Sequence, residues 1–511
     1  MWGAYCMDDD LNPLGYNAFI QRYKLDVLPP WRESWLAPRG ERKTSVEAGR
    51  TTEIYPPRYD PGASLGDHLT FALKNEGVNL EVLAALFSAV SADEISAFIQ
   101  SQPTGKYARL TWFLYEWLTG ETLPVDDLHQ GNYIPVLDPE SYYTLSDNLA
   151  KKSRRQRVVN NLPGTAAFCP LVRRTLKLQV FEAMKLDEKA KQMVAGYPAE
   201  MLYRATQYLY TKETKSSFEI EREHPDRRRS ARFVELLRRA ADSEPFSREE
   251  LVRLQKETVD ARFALDDFRD IQCYVGQTIG PTREVIHFAA PKPEDLRPMM
   301  QGWMTCSQQM LRSDIHPVVT AAVSGFGFVF LHPFEDGNGR LHRYFIHCVL
   351  SAKHFTPQGL IFPVSATMLK QMPKYDEALE WFSRELMQHV EYRLDNEGKM
   401  TVLNETAMYY RYPDMTFQAE RLFEFIQDTI DHELFAELEY LRIFAYARLR
   451  IQEAVDMPDR KLDLFVRFCL EGKGHLSKAK RKRFDFLTDE EIEMLEGVVR
   501  QEMNNDENIQ S

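Results

Sequence analysis

The sequence predicts an all-α chain of several domains that carries one short β-hairpin. Three observations lead there. Apolar residues recur at helical spacing along most of the length, as in Leu80-Glu81-Val82-Leu83-Ala84-Ala85-Leu86-Phe87 and in Leu462-Asp463-Leu464-Phe465-Val466-Arg467-Phe468. One stretch, Ile271 to Phe288, gives the best β signal, reading as two strands closed by the turn residues Gly280-Pro281. A length of 511 residues exceeds what one hydrophobic core serves, so two to four domains are expected.

Composition narrows the function classes. Hydrophobic residues at 44% with 27% charged residues are ordinary for a soluble globular chain. The net charge of −12 argues against nucleic-acid binding by the surface as a whole. The six cysteines (Cys6, Cys169, Cys273, Cys306, Cys348 and Cys469) lack CxxC spacing, which argues against a zinc site or a disulfide framework and suits a reducing compartment. The first residues, with Asp8-Asp9-Asp10, have no basic segment followed by an apolar one, so no signal peptide is expected. No apolar run reaches membrane-spanning length, and Val318–Leu331 is short and contains glycines. The expectation is a cytoplasmic protein with no membrane partner.

Residues up to about 60, with Leu28-Pro29-Pro30-Trp31 and Tyr55-Pro56-Pro57-Arg58-Tyr59, read as an irregular extended lead-in. From Leu65 to Leu118 the pattern is helical. Leu110-Thr111-Trp112-Phe113-Leu114-Tyr115-Glu116-Trp117-Leu118 is aromatic nearly all round, which reads as a core helix rather than a ligand surface. The basic cluster Lys151-Lys152-Ser153-Arg154-Arg155-Gln156-Arg157 is the kind of run that is usually a solvated face. Helical segments resume from Leu171, run through Phe233-Val234-Glu235-Leu236-Leu237 and Leu251–Val259, and return after the hairpin at Leu296–Leu311. Beyond about 396 the pattern is again helical, with a basic run at Lys478-Ala479-Lys480-Arg481-Lys482-Arg483 and an N-cap-like Thr488. That run is a candidate nucleic-acid or partner contact, although a solvated face is the commoner meaning of such a pattern. Asn504-Asn505-Asp506-Glu507-Asn508 is a polar end of the kind that frays.

The chemistry concentrates in His332-Pro333-Phe334-Glu335-Asp336-Gly337-Asn338-Gly339-Arg340-Leu341-His342-Arg343, between two apolar helical stretches. Gly337-Asn338-Gly339 can take left-handed backbone angles and turn successive N–H groups into one concavity. The helix that follows adds the positive end of its dipole, so the turn suits a di- or triphosphate. Arg340 and Arg343, three apart, share a helix face and can hold phosphate oxygens. Asp336 is a hard oxygen ligand beside those phosphates, as Mg²⁺ requires. His332 can take a proton from a hydroxyl as general base. Phe334 is expected to anchor the loop in the core. Each residue alone would more often be structural; the joint pattern within twelve residues is far more specific.

That stretch resembles the Fic motif, His-x-Phe-x-(Asp/Glu)-Gly-Asn-Gly-Arg-x-x-Arg, at every defined position, and the resemblance extends over about 200–395. It implies a Fic-type helical core with a short β-hairpin flap, flanked by helical N- and C-terminal regions. It also implies an enzyme that transfers AMP from ATP, with Mg²⁺, to a Ser, Thr or Tyr hydroxyl of a protein target docked on the flap, self-modification included. In that reading His332 is the base and Asp336 the Mg²⁺ ligand. Gly337, Asn338, Gly339 and Arg340 form the phosphate cradle, Arg343 reaches the terminal phosphate, and Tyr375 is by position a candidate adenosine contact, a buried core tyrosine being an equal alternative. Many members carry an inhibitory helix of pattern (Ser/Thr)-x-x-x-Glu-(Gly/Asn). Ser217-Phe218-Glu219-Ile220-Glu221 fits its first five positions upstream of the catalytic motif, with Arg222 in place of Gly or Asn. Glu221 would then pair with Arg343, with Glu219 as the alternative carboxylate. The expected domains are an N-terminal mostly helical region (1–165), the catalytic domain (166–395) with its inhibitory helix near 216–222, and a C-terminal helical region (396–511). Removal of AMP from a target, transfer of another phosphate-containing group and a nucleic-acid-binding regulatory role are the alternative functions.

Overall fold

The structure, a computed structural model, describes residues 11–47, 49–240, 245–279 and 283–504. The turn at Gly280-Pro281, the residues Asp8-Asp9-Asp10 and the polar end from Asn505 therefore lie outside the described residues. The chain is mostly helical with a few small sheets. Its internal contacts divide it into two compact units. One comprises the described residues to Met184, Glu221–Phe355 and Gln371–Glu424; the other comprises Lys185–Ile220, Thr356–Lys370 and the described residues from Phe425.

In the first unit the chain opens on a sheet where the sequence suggested an irregular lead-in. Strands β1 (Asn12–Leu14), β2 (Arg32–Leu36), β3 (Lys43–Glu47) and β4 (Arg50–Tyr55) pair in the order β1-β2-β4-β3, with β2 and β4 parallel. The pattern was hidden because every residue of β3 is exposed, so no apolar alternation marks it. Glu53 replaces an apolar inward residue: it is 4% exposed and held by Arg42 at 2.6 Å and by the Tyr55 hydroxyl.

Helices α1 (Leu80–Ala89) and α2 (Lys106–Thr119) then build a core around Leu83, Leu86, Trp112 and Leu114, all fully buried. Asn79 caps α1 by accepting from the Val82 N–H at 3.1 Å. Gly120, at φ +74°, ends α2 in the left-handed conformation that glycine tolerates. The aromatic α2 is thus a core helix, as its composition implied. A small sheet of β5 (Ile134–Pro135), β6 (Lys151–Ser153) and β7 (Val158–Asn160) carries the basic cluster. Arg155 of that cluster pairs with Glu116 at 3.1 Å, and Lys151 and Lys152 are exposed.

The site is positioned by α4 (Arg227–Arg239), α5 (Arg248–Thr258), the hairpin β8 (Tyr274–Ile279) with β9 (Arg283–Ala289), and α6 (Pro293–Arg312), α7 (Pro317–Leu331), α8 (Asn338–Ala352) and α9 (Met372–His389). Pro317 at the first position and the His316 ring on the Val318 N–H start α7, whose residues are nearly all buried. Phe345 of α8 packs edge to face on Trp303 of α6 at 5.3 Å and on Phe328 of α7 at 4.8 Å between centroids, fixing the helices that flank the motif. The hairpin is antiparallel, with an irregularity between Val275 and Gly276, and Tyr274 donates to Gly398 O at 2.9 Å. Gly398 lies in the turn of a second hairpin, β10 (Tyr392–Leu394) with β11 (Met400–Val402), which the sequence did not reveal.

In the second unit, α3 (Ala199–Ile220) buries Ser216, Ser217 and Phe218 near its end. Helices α10 (Phe435–Ala454), α11 (Asp459–Glu471) and α12 (Asp489–Asn504) close a core of Ile451, Leu462, Phe465, Cys469, Leu495 and Val499. Thr488 accepts from the Glu491 N–H at 3.1 Å while Glu491 accepts from the Thr488 N–H at 2.8 Å, a reciprocal cap matching the expected N-cap. In the basic run, Lys480 pairs with Glu471 at 2.5 Å and Arg481 with Asp489 at 3.1 Å. Among the described residues no single helix is long and apolar enough to cross a membrane.

Candidate active site

Helix α7 ends at His332, whose N–H bonds to Phe328 O at 2.9 Å and whose φ is +49°. Glycine normally occupies such a helix end, and a histidine there stores on the order of 1 kcal/mol of backbone strain. The surroundings enforce it. The Arg269 guanidinium donates to His332 O at 2.7 Å, and the Arg269 N–H donates to Pro333 O at 2.9 Å.

Phe334 is fully buried, with Phe268 and Phe328 at centroid distances of 5.8 and 6.2 Å, so it anchors the loop as expected. The Asn338 carboxamide closes the loop. It accepts from the Phe334 N–H at 3.1 Å and donates to Phe334 O at 2.7 Å. Asn338 therefore shapes the cradle with its side chain.

The two glycines serve different ends. Gly337 takes φ +96°, and a side chain there would also press within 2.8 Å of Val259. Gly339 lies within the first turn of α8 at ordinary helical angles, and a Cβ there would collide with the Glu221 carboxylate. The expectation of left-handed freedom thus holds at Gly337, whereas Gly339 supplies room for an anion against the helix start.

The charged groups are paired across this start. Asp336 Oδ1 accepts from the Gly337 N–H at 2.6 Å and from Arg340 Nη2 at 2.6 Å. Arg340 Nη2 also lies 2.9 Å from Glu223 Oε1, and its Nη1 donates to Thr258 O at 3.3 Å. Arg343 Nη2 lies 2.7 Å from Glu221 Oε1, and its Nη1 donates to the Tyr375 hydroxyl at 3.3 Å. Both guanidinium groups are 1% exposed, while Glu221 is 34% exposed. Burial alone would lower the Arg343 pKa, but Glu221 and Tyr375 more than offset it and hold it above its usual value.

Glu221 directly follows Ile220, the last residue of α3, and Arg222 takes φ +57°. The family pattern has Gly or Asn at this position, the residues that adopt this backbone most easily. Glu219 is exposed, so Glu221 is the carboxylate of this segment that reaches Arg343.

His332 Nδ1 lies 3.3 Å from Val329 O. A carbonyl partner requires an N–H there, which leaves the Nε2 lone pair for a proton. Burial, and next the Arg269 charge, bring the His332 pKa down to about 4, so the imidazole is neutral near pH 7. Phe288 of the flap stands 6.2 Å from the imidazole, centroid to centroid.

Every residue singled out in the sequence motif thus converges on one end of α8, together with Glu221 and Tyr375. Two participants were missed. Glu223 was legible in principle as a second acid two residues past Glu221, facing arginines three apart on a helix. Arg269 left no side-chain pattern, because its partners are carbonyls.

Residues 245–350 match the model of the Fic/DOC family. The chain is 35% identical over 94 residues to the protein adenylyltransferase Fic of Culex quinquefasciatus, covering 18% of this chain and 16% of that protein. It is 37% identical over 70 residues to that of Nematostella vectensis, covering 13% and 16%. The chain thus spans about a sixth of the length of these curated relatives. A Fic family protein from Desulfovibrio desulfuricans G20 superposes with a TM-score of 0.35 at 14% identity, over 63% of this chain and 84% of that one. His332, Asp336, Arg340 and Arg343 all fall within the matched stretch, and the chain carries a Fic/DOC-type domain over residues 245–350.

Proposed function

We propose that the protein transfers AMP from ATP to a Ser, Thr or Tyr hydroxyl of a protein target, and that Glu221 restrains it at rest. The observation that carries this reading is the Glu221 carboxylate lying over Gly339 and on Arg343: an anion already occupies the place where the cradle would hold phosphate. ATP would replace that carboxylate with its own phosphate oxygens on Arg343 and on the α8 N–H groups. A target hydroxyl hydrogen-bonded to His332 Nε2 gives up its proton there as its oxygen attacks the α-phosphorus and pyrophosphate leaves. Arg340 and Arg343 neutralise charge that grows on the bridging and leaving oxygens. The flap would receive the target segment as an added strand.

Asp336 fits a divalent cation. Both of its hydrogen-bonded contacts fall on Oδ1, which leaves Oδ2 available. Mg²⁺ is commonly held by one or two carboxylates together with substrate phosphates and water, so Asp336 beside the phosphate cradle would be enough. Bound there, Mg²⁺ would supply charge neutralisation at the phosphates.

The test is incubation of a cell lysate with α-³²P-labelled ATP and wild-type, His332→Ala or Glu221→Gly protein. Labelled protein bands that strengthen with Glu221→Gly and vanish with His332→Ala are expected. Equal labelling by all three would remove the proposal. Label lost from pre-modified protein instead would favour AMP removal.

A further inference from the structure

Arg269 stands outside the motif, yet it bonds to the backbone of His332 and of both ends of the flap. It is 4% exposed. Its Nε donates to His332 O, its Nη1 to Ile271 O and its Nη2 to Pro291 O, each at 2.7 Å. Ile271 lies three residues before β8 and Pro291 two residues after β9, so one guanidinium holds both stems of the flap and the carbonyl of the base.

The arrangement is unusual energetically. A buried cation normally has a carboxylate partner, because losing its hydration is expensive. Arg269 has main-chain carbonyls instead, and its pKa is accordingly lowered by burial. A neutral amide has two donors and could not reach three divergent carbonyls, and a lysine ammonium lacks the planar fork. The shape and the charge therefore have separate uses.

We infer that Arg269 is a positioning residue, holding the flap stems at fixed reach from His332 and so setting where a docked hydroxyl meets the imidazole. This inference rests on the transfer reading above for its consequence, though not for its geometry. The charge has a second effect: after burial, the Arg269 charge is the main influence against the imidazolium, while the Glu221 and Asp336 charges favour it. A misplacement of about 1 Å between reacting groups lowers a rate by up to about 10²-fold.

The test uses the full chain with Arg269→Lys and Arg269→Gln, melting temperatures confirming that each is folded. Turnover with α-labelled ATP should fall about tenfold or more in both variants, while calorimetric affinity for ATP with Mg²⁺ stays within twofold. Histidine NMR, with the His332 resonance assigned through His332→Ala, separates charge from shape. The His332 titration should move to higher pH in Arg269→Gln and stay near wild type in Arg269→Lys.

Wild-type turnover in a folded Lys variant, or one His332 titration shared by all three proteins, would overturn the inference. Should the Gln variant not fold, turnover by the Lys variant decides alone. If the wild type itself labels nothing, the transfer reading falls, and the titration still judges Arg269.

Discussion

Glu223 Oε1 lies 2.9 Å from Arg340 Nη2, two residues beyond the Glu221 carboxylate that reaches Arg343 at 2.7 Å. One short segment therefore occupies both arginines of the motif. Arg340 shares its guanidinium between Glu223 and Asp336, and Glu223 shares its carboxylate with Arg229 at 2.8 Å, so the Glu223 contact is the more diluted of the two. Partly exposed pairs of this kind contribute about 0.2–1 kcal/mol. Glu223→Gln should raise basal labelling about two- to fivefold, measured with α-labelled ATP against wild type at equal concentration. No change, with ATP affinity also unchanged, would show that Glu223 only orders the loop.

Glu221 should matter more. A charge-assisted contact is worth about 1.5–3 kcal/mol, and its one-third exposure places this one at the lower end. Glu221→Gly should then raise labelling about tenfold. Glu219→Gly should leave it at the wild-type level, because Glu219 is exposed and makes no described contact with either arginine. Arg343→Ala should not reproduce the gain, since the arginine that holds Glu221 is the one that would hold phosphate. A gain with Glu219→Gly equal to that with Glu221→Gly would reassign the restraint.

Arg222 offers a change in the opposite direction. Its φ of +57° costs a non-glycine residue roughly 1 kcal/mol, which weakens the turn that presents Glu221. Arg222→Asn should relieve part of that strain and tighten the restraint, lowering basal labelling about two- to fivefold. Arg222→Gly should act in the same direction, although it also lowers the order of the free turn. Because the Arg222 charge also opposes the rise in the pKa of the exposed Asp376 carboxyl, agreement between the Asn and Gly variants is needed, and opposite signs would point to that charge rather than to the backbone.

How far the sequence could be read depended on how locally each feature is encoded. His332, Asp336, the Gly337–Gly339 turn and both arginines lie within twelve residues and are held by one loop and one helix start, so residue types and spacing sufficed to foresee that they meet. The flap was legible because Tyr274–Ile279 and Arg283–Ala289 are flanked by turn residues. The N-terminal sheet was not, since β2 and β4 pair in parallel across an intervening strand and β3 has no buried face. Tyr375 was placed in the right neighbourhood by position, but its hydroxyl lies on Arg343, a contact no spacing rule anticipates. The carbonyl partners of Arg269 are main-chain atoms, common to every residue type, and so leave no trace in composition.

The depressed His332 pKa makes two predictions about pH whose signs follow from one proton. His332 is neutral in the folded protein down to about pH 4, whereas an unfolded histidine takes its proton near 6.5. Between those values the unfolded chain binds more protons than the folded one. The contribution of this group to stability is therefore complete above about pH 6.5 and is lost as pH falls toward 4. In activity, the base stays unprotonated over the same window. The acid limb of kcat/KM for the Glu221→Gly protein should thus have its midpoint nearer 4 than 6.5, because that limb reports the free enzyme's base. His332→Ala should lower transfer by about 10²–10⁴-fold and abolish the limb. A limb centred at 6.5 in the parent would mean that the imidazole is solvated in solution and that the Val329 carbonyl and Arg269 do not set its protonation.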